Sequence, residues 1–201
     1  MKQVKFWDIK PEIRVLGIDD GAFKPHSREN VLLVGVLSRG GSWVDGVLST
    51  RVAVDGTDST RRVIEMVNQS KHKGQLRVIM TDGATFAGFN VVDIHDVFAQ
   101  TGIPVIAVSR ERPNLKEVKR AVKNLSDWHG RWEIIKKAGK VYPVRTRAKA
   151  APVYIQIAGI KRTDAEQIVK LTATRSFVPE PLRVAHLIAR GITYGEGAKE
   201  V

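Results

Sequence analysis

The chain contains no cysteine among its 201 residues. Disulfide bonds, thiolate zinc sites and cysteine nucleophiles are therefore excluded, and any bound metal must be held by oxygen or imidazole ligands. Hard cations such as Mg²⁺ or Mn²⁺ suit that ligand set. The sequence also has no Walker loop, no Gly-x-Ser-x-Gly elbow and no His-Glu-x-x-His pair. Nucleoside triphosphatases, α/β-hydrolases and zinc proteases therefore lose their usual sequence support.

Long apolar runs are also missing. No stretch approaches the roughly 18 to 20 residues that cross a bilayer, and residues 1–7 have no signal-peptide core. These absences predict a cytoplasmic protein without a membrane partner. A hydrophobic content of 43% is enough for one sizeable core. We expect a single domain over residues 1–201, with a basic and more helical C-terminal elaboration from about residue 110.

Acidic residues are outnumbered, and the imbalance is local. The net charge is +12, and residues 110–149 alone hold thirteen Lys or Arg against four acids, a net charge of +9. Trp128 and Trp132 are interleaved with these basic residues. Such a segment indicates a polyanionic partner, DNA or RNA, although a merely soluble surface or the ion networks of heat-adapted proteins would also explain it. The basic residues expected to contact nucleic acid are Arg112, Lys116, Lys119, Arg120, Lys123, Lys136 and Lys137.

Two short segments each carry an apolar run that ends in an aspartate and a glycine. Residues 15–21 lead to Asp19, and residues 78–83 lead to Asp82. Each pattern predicts a buried strand that presents a carboxylate at its C-terminal end. A single Asp before Gly is more often a turn residue. If the two strands are parallel neighbours, however, their ends lie about 4.8 Å apart, close enough for both carboxylates to bind one divalent cation.

The order of predicted elements is strand, strand, strand, helix, strand, helix, strand. The expected strands are 13–18, 31–37, 43–54, 76–80 and 103–108, and the helices lie at about 59–71 and 90–100. This order predicts a mixed five-stranded α/β sheet, antiparallel at first and parallel later, flanked by helices. Further helices are expected to open at Asn114, at Ser126 and at a capping box in 163–166, and a last one to cover 182–190 and end at Gly191. Residues 153–158 are either an extra strand or an edge segment.

Several other residues near the two aspartates could take part in chemistry. Asp58 is slightly more typical of a helix N-cap than of a ligand, Asp55 is a less comfortable alternative, and Asp20 reads as a solvated turn residue. His186 falls on the apolar side of the last helix, where a histidine is usually a satisfied core residue. Phe86 follows Asp82 closely and could stack on a base or, equally, fill the core.

Segments 13–21, 55–60, 77–94, 102–108 and 178–192 resemble the archaeal "domain of unknown function 99" family, which is itself similar to endonuclease V and its ribonuclease H-like fold. The resemblance implies that Asp19 and Asp82 match two metal ligands of the nuclease. It also implies that Asp58 or Asp55 stands for a glutamate. The aromatic wedge of endonuclease V has no counterpart between Thr50 and Asp58.

Two more positions follow from the same resemblance. Arg110 matches a lysine after the fifth strand of the nuclease, and His186 matches a histidine or aspartate near its metal. We therefore expect Asp19, Asp82 and Asp58 to bind Mg²⁺ or Mn²⁺ for phosphodiester hydrolysis, with His186 as a proton carrier and Arg110 at the scissile phosphate. The alternatives are a non-catalytic nucleic-acid-binding protein and a small-molecule phosphotransferase or phosphatase that uses the same carboxylates. The choice of DNA or RNA stays open, and so does the oligomeric state, a homodimer included.

Overall fold

A computed structural model describes residues 3–195, which form one large sheet with helices on both of its faces. The strands of the large sheet are β1 (Arg14–Asp20), β2 (Asn30–Arg39), β3 (Trp43–Ala53), β4 (Val78–Asp82), β7 (Val105–Ser109), β8 (Tyr142–Val144) and β9 (Val153–Ala158). The two short strands β5 (Thr85–Phe86) and β6 (Asn90–Val91) pair separately as a small hairpin.

The large sheet runs in the order β3-β2-β1-β4-β7-β9-β8. Strands β1, β4 and β7 are parallel neighbours, whereas every other pairing is antiparallel. The expectation of a mixed sheet that is first antiparallel and then parallel is confirmed. The expected number of five strands is wrong, because β9 pairs with β7 and the unforeseen strand β8 adds to its other side.

The helices are α1 (Ser59–Asn68), α2 (Ile94–Thr101), α3 (Leu115–Val122), α4 (Trp128–Lys137), α5 (Arg162–Thr172) and α6 (Glu180–Tyr194). A short 3₁₀ turn covers Lys73–Gln75. Within residues 3–195, no helix is long and apolar enough to span a membrane.

The central strands are apolar on both faces, which is typical of strands covered by helices on each side. In β1, Leu16 and Ile18 pack into the cluster that contains residues of α1 and α2. Val15 points the other way, into the cluster that contains residues of α5 and α6. The two cores therefore lie on opposite faces of one sheet, and the strand ends are left free at its edges.

The observed helix ends agree with the predicted ones only in part. The helix α5 already begins at Arg162, so Thr163 lies inside it and no capping box forms there; Arg162 pairs with Glu166 instead. The last helix runs through Gly191 and ends at Gly195, which adopts a left-handed conformation. The N-cap at Asn114 is confirmed, since its side chain accepts hydrogen bonds from the backbone of the first turn.

Candidate metal centre

The two aspartates lie at the same edge of the sheet because β1 and β4 are adjacent and parallel. In their register Gly17 faces Met80 and Ile18 faces Thr81. The next position along the two strands brings Asp19 beside Asp82. This edge is the carboxyl end of the parallel strands, where open α/β sheets bind ligands. The predicted pairing of these two strands is therefore confirmed.

Three side chains converge at this edge. One ligand atom each from Asp19, Asp82 and His186 lies within 4.8 Å of the others. Asp19 is only 3% exposed, and its Oδ1 accepts a hydrogen bond of 2.8 Å from the backbone N–H of Asp20. Its Oδ2 lies 2.7 Å from Nδ1 of His186. Two carboxylates and an imidazole are a donor set suited to a divalent cation such as Mn²⁺ or Mg²⁺.

The histidine reaches this edge because α6 packs directly on the backbone of β1. A Cβ atom on Gly17 would lie 2.4 Å from the carbonyl carbon of Pro181 and 2.7 Å from the backbone nitrogen of Leu182. Only glycine permits such an approach. The start of α6 is thereby held against the strand, and His186 follows one turn later beside Asp19.

The electrostatics of the carboxylates are unfavourable without a cation. The pKa of Asp82 is raised to about 7, chiefly by burial and also by the negative charge of Asp19, although the positive charges of Arg110 and His186 oppose the shift. The pKa of Asp20 is raised to about 6, chiefly by burial; the hydrogen bond from the N–H of Ala87 opposes the shift, and the charge of Asp19 adds to it. A bound cation would stabilise the ionised carboxylates and relieve their repulsion.

Arg110 reaches the same edge from the next strand. In the parallel pairing of β4 with β7, Asp82 faces Val108, and Arg110 follows two residues later. Its guanidinium is exposed, and its charge acts on Asp82. The structure therefore brings four of the five expected catalytic residues together: Asp19, Asp82, His186 and Arg110.

Asp58 lies outside this group. Its carboxylate accepts hydrogen bonds from the backbone of Ala53 (3.2 Å) and from Nδ2 of Asn90 (2.7 Å), and it lies 3.5 Å from Nε of Arg62. Burial raises the pKa of Asp58, but these hydrogen bonds outweigh that effect and hold it below its ordinary value. The expectation of Asp58 as the third ligand is corrected, since the third ligand-capable group is His186. The side chain of Asp58 also does not cap α1.

Asp55, the alternative to Asp58, is also occupied elsewhere. Its Oδ1 accepts a hydrogen bond of 2.9 Å from the N–H of Phe89, and its Oδ2 lies 3.1 Å from Nδ1 of His26. It therefore holds neighbouring loops together at a distance from the paired carboxylates.

Of the two alternatives for Phe86, stacking on a base or filling the core, the structure shows the second. Its side chain is 1% exposed and packs in the core with residues of α1 and α2. Trp128 and Trp132 are half-buried in a small separate cluster with Phe89. Trp128 and Trp132 therefore help to pack the helical elaboration together with Phe89.

All seven basic residues that were expected to contact nucleic acid are exposed: Arg112, Lys116, Lys119, Arg120, Lys123, Lys136 and Lys137. Two of their ammonium groups lie over indole rings, that of Lys119 over Trp132 and that of Lys123 over Trp128. Five of the seven lie on α3 and α4, while Arg112 precedes α3 and Lys123 is its C-cap. These elements follow β7 in the chain, so the basic surface begins at the carboxyl edge where the carboxylates lie.

A buried arginine joins the hairpin formed by α3 and α4 to the loops at the carboxyl edge of the sheet. Arg131 donates hydrogen bonds of 2.7 Å to the carbonyls of Gly56 and Asp55, and a further one to the carbonyl of Phe89. Its Nε donates to Asp127 over 2.8 Å. This residue was counted with the basic surface by composition, but it is a structural group in the interior. The hydrogen bonds of Arg131 offset the cost of burying its charge.

A cavity of about 330 Å³ adjoins the carboxylates and includes two residues that the sequence did not indicate. Arg190 and Tyr194 line it together with Asp19, Asp82 and His186. The guanidinium of Arg190 lies 5.4 Å from the centre of the Tyr194 ring. Both residues follow His186 at spacings of four, so a longer predicted helix would have placed them on the same helical face.

The mixed sheet with helices on both faces is similar to the fold of endonuclease V structures. The chain is similar in structure to endonuclease V of Ciona intestinalis in complex with a 24mer DNA containing an inosine, with a TM-score of 0.57 at 17% identity. The match covers 90% of this chain and 86% of that one.

Closer matches show the family to which the chain belongs. Residues 11–193 match the model of the endonuclease dU family, and the chain belongs to this family. A UPF0215 protein of Methanothermobacter thermautotrophicus is 56% identical over 197 residues, which are 98% of this chain and 95% of the relative. A protein of unknown function from Archaeoglobus fulgidus has a crystal structure with a TM-score of 0.80 and 38% identity, over 89% of this chain and 97% of that one.

Proposed function

We propose that the protein is a divalent-metal-dependent endonuclease that hydrolyses phosphodiester bonds in DNA at a deaminated base, with deoxyuridine as the first candidate. The observation that carries the proposal is the convergence of Asp19, Asp82 and His186 at the carboxyl ends of two parallel strands. The name of the endonuclease dU family points to deoxyuridine. The fold neighbour bound to inosine-containing DNA points to the same class of lesion, a base that has lost its amino group.

Asp19 and Asp82 would hold the cation, Mg²⁺ or Mn²⁺, with His186 as the third group within reach. A bound cation of this kind supplies activation of water and stabilisation of the leaving oxygen. If Nδ1 of His186 donates its proton to Asp19, Nε2 is left as an acceptor, so the ring can take up or release a proton at that atom. The guanidinium of Arg110 lies at the same edge and would bind an oxygen of the scissile phosphate.

Charge supports a nucleic-acid substrate over a small phosphorylated molecule. The exposed cations of α3 and α4 extend from the edge that carries the carboxylates, and they lie outside the cavity around Asp19. A small substrate would not reach them, whereas a polynucleotide backbone would neutralise several of them at once. The net charge of +12 has the same sign as this surface.

The test is a cleavage assay on matched oligonucleotides with one deoxyuridine, one deoxyinosine or no lesion, as DNA and as RNA. Wild-type protein should cut lesion-bearing DNA only when Mn²⁺ or Mg²⁺ is present. We expect Asp19→Asn and Asp82→Asn each to reduce the rate by about 100-fold or more, because each removes a charged cation ligand. Asp8→Asn, which changes an exposed carboxylate before β1, is the control and should cut like the wild type.

Absence of cleavage in every metal and on every oligonucleotide would reject the proposal. If binding to the same oligonucleotides then remains salt-dependent and unaffected by Asp82→Asn, the protein is a non-catalytic nucleic-acid-binding member of the fold.

A further inference from the structure

We propose that a second cavity beside the candidate metal centre, on the side of the loop between α5 and α6, is a subsite for the nucleotide that flanks the cleaved bond. This inference rests on the proposed function, since it names where the neighbouring part of the same strand is bound. The cavity has a volume of about 650 Å³. Small-molecule sites span roughly 300–1,000 Å³, so a whole nucleotide unit fits.

His186 connects this cavity with the carboxylates. It lines both the 650 Å³ cavity and the smaller one that contains Asp19 and Asp82. Arg110 also lines the larger cavity and acts electrostatically on Asp82. A strand whose phosphate lies at the carboxylates would therefore place its next nucleotide directly in the larger cavity.

The charges of the larger cavity match a phosphodiester. Within the described residues 3–195, neither Arg110 nor Arg175 forms a hydrogen bond or an ion pair. A third guanidinium, that of Arg183, is already engaged with Glu180 through hydrogen bonds of 2.8 and 2.7 Å. Two guanidinium groups without a hydrogen bond or an ion pair thus line the cavity, and the guanidinium group is well suited to bind phosphate oxygens.

An apolar wall completes the subsite. Phe177 and Leu187 line the cavity beside the arginines, and both are half-buried. An aromatic ring at the rim of a basic cavity offers a face on which a base of any identity can stack. The combination of two guanidiniums with an aromatic ring fits a nucleotide better than it fits inorganic phosphate or a purely apolar ligand.

The rim is fixed before any ligand arrives. The loop at 173–179 carries Phe177, whose carbonyl accepts a hydrogen bond of 2.8 Å from Oγ1 of Thr146. The carbonyl of Thr174 accepts one of 2.6 Å from Arg147, and Oγ of Ser176 donates to the carbonyl of Val178 over 3.1 Å. Ordering costs on binding are therefore small at this loop.

Binding of a fluorescent single-stranded DNA oligonucleotide, measured in EDTA so that no cutting occurs, tests the subsite separately from catalysis. Arg175→Gln should weaken binding about tenfold and lower the slope of log K against log salt by about one, because one phosphate contact is lost. Arg77→Gln is the matched control, since it removes the same charge at the start of β4, at the opposite edge of the sheet. Equal binding by the two variants would overturn the subsite.

Photocrosslinking gives a second readout that a purely long-range charge effect would not move. Oligonucleotides with one 5-iododeoxyuridine at successive positions are irradiated with wild-type protein, and the adducts are mapped by mass spectrometry. One position should attach to the tryptic peptide 176–183, which contains Phe177. Crosslinks confined to other peptides would refute the proposal.

The two proposals fail in different ways. If Arg175→Gln weakens binding but the wild type cleaves no substrate, the proposed nuclease activity is refuted and the nucleotide subsite is supported. If the wild type cleaves DNA but Arg175→Gln binds as the wild type does, the nuclease activity is supported and the subsite is refuted.

Discussion

At the scale of single residues, the decisive feature is the state of Asp82. Its carboxyl group is buried next to Asp19, and its pKa rises from the ordinary 3.8 to about 7. Between these two values the folded, metal-free protein binds more protons than the unfolded chain does. Its stability should therefore fall as the pH rises from about 4 to about 7, and stay reduced above that range.

Asp82→Asn should remove this loss, because asparagine has no charge that burial would destabilise and none that would repel Asp19. We expect the free energy of unfolding of the metal-free protein at pH 8 to rise by about 1–3 kcal/mol, with little change at pH 4, given that one pKa unit corresponds to about 1.4 kcal/mol. Urea denaturation in EDTA at both pH values measures it, with Asp8→Asn as the control. An identical change in the free energy of unfolding at pH 4 and pH 8 would show that the charge of Asp82 is not the cause.

Single residues also mark where the sequence was insufficient. The apolar runs before Asp19 and Asp82 predicted both strands and the position of a carboxylate at the end of each, because a strand and its last residue are encoded by neighbouring residues. The true partner of Asp58 is Asn90, which lies 32 residues further along the chain. No local pattern indicates that contact, so Asp58 could not be separated from the candidate metal ligands by sequence reasoning.

At the scale of secondary-structure elements, the packing of α6 on β1 brings His186 to the carboxylates. The contact depends on the absence of a side chain at Gly17, where backbone atoms of Pro181 and Leu182 occupy the space of a Cβ. Backbone atoms cannot rotate away as a flexible side chain can. A larger residue must therefore displace the whole helix.

We expect Gly17→Ala to lower the free energy of unfolding by about 1–3 kcal/mol, the usual cost of overpacking, and to abolish metal-dependent cleavage through the displacement of His186. Gly74→Ala is the matched control, because no atom lies within 4 Å of a Cβ at that position. Thermal unfolding and the cleavage assay are run on both variants. Similar behaviour of the two would contradict the tight contact between α6 and β1.

Other elements were predicted only in part, for physical reasons. The strand β8 (Tyr142–Val144) has three residues, one of which is Pro143, and it pairs only with β9 at the edge of the sheet. Such a segment has no period to detect. Gly191 was taken as a helix end, but a glycine inside a helix costs only about 1 kcal/mol. The helix continues to Tyr194 and brings Arg190 and Tyr194 to the cavity.

At the scale of the whole molecule, charge and fold agree. The concentration of basic residues in 110–149 was evident from composition, and the structure presents five of them exposed on α3 and α4: Lys116, Lys119, Arg120, Lys136 and Lys137. Composition could not show that Arg131 is buried and joins this hairpin to the loops at the carboxyl edge. Residues 153–158 were expected to be an extra strand or an edge segment, but their pairing with β7 and β8 depends on contacts between distant segments.

The basic surface should set the salt dependence of nucleic-acid binding. The test variant replaces Arg112, Lys116 and Arg120 by Gln. Each lost phosphate contact lowers the slope of log K against log salt by roughly 0.7–0.9, so the slope should become shallower by about two to three. Fluorescence anisotropy over a range of salt concentrations measures this change.

The matched control removes the same number of charges at the amino-end edge of the parallel strands. It replaces Lys10, Lys71 and Arg77 by Gln, all of which are exposed. Binding by this variant should keep the wild-type slope. Equal slopes for the two triple variants would mean that net charge, and not the surface on α3 and α4, governs binding.

Direct titration of the metal-free protein with Mn²⁺ by isothermal calorimetry at pH 8 tests the paired carboxylates themselves, whatever the substrate is. The account predicts saturable binding by the wild type and by Asp58→Asn. Binding should be lost or at least about 100-fold weaker in Asp19→Asn and in Asp82→Asn, in the range by which ligand losses commonly weaken metal sites. Mn²⁺ binding that is unchanged when both aspartates are replaced would contradict the central claim.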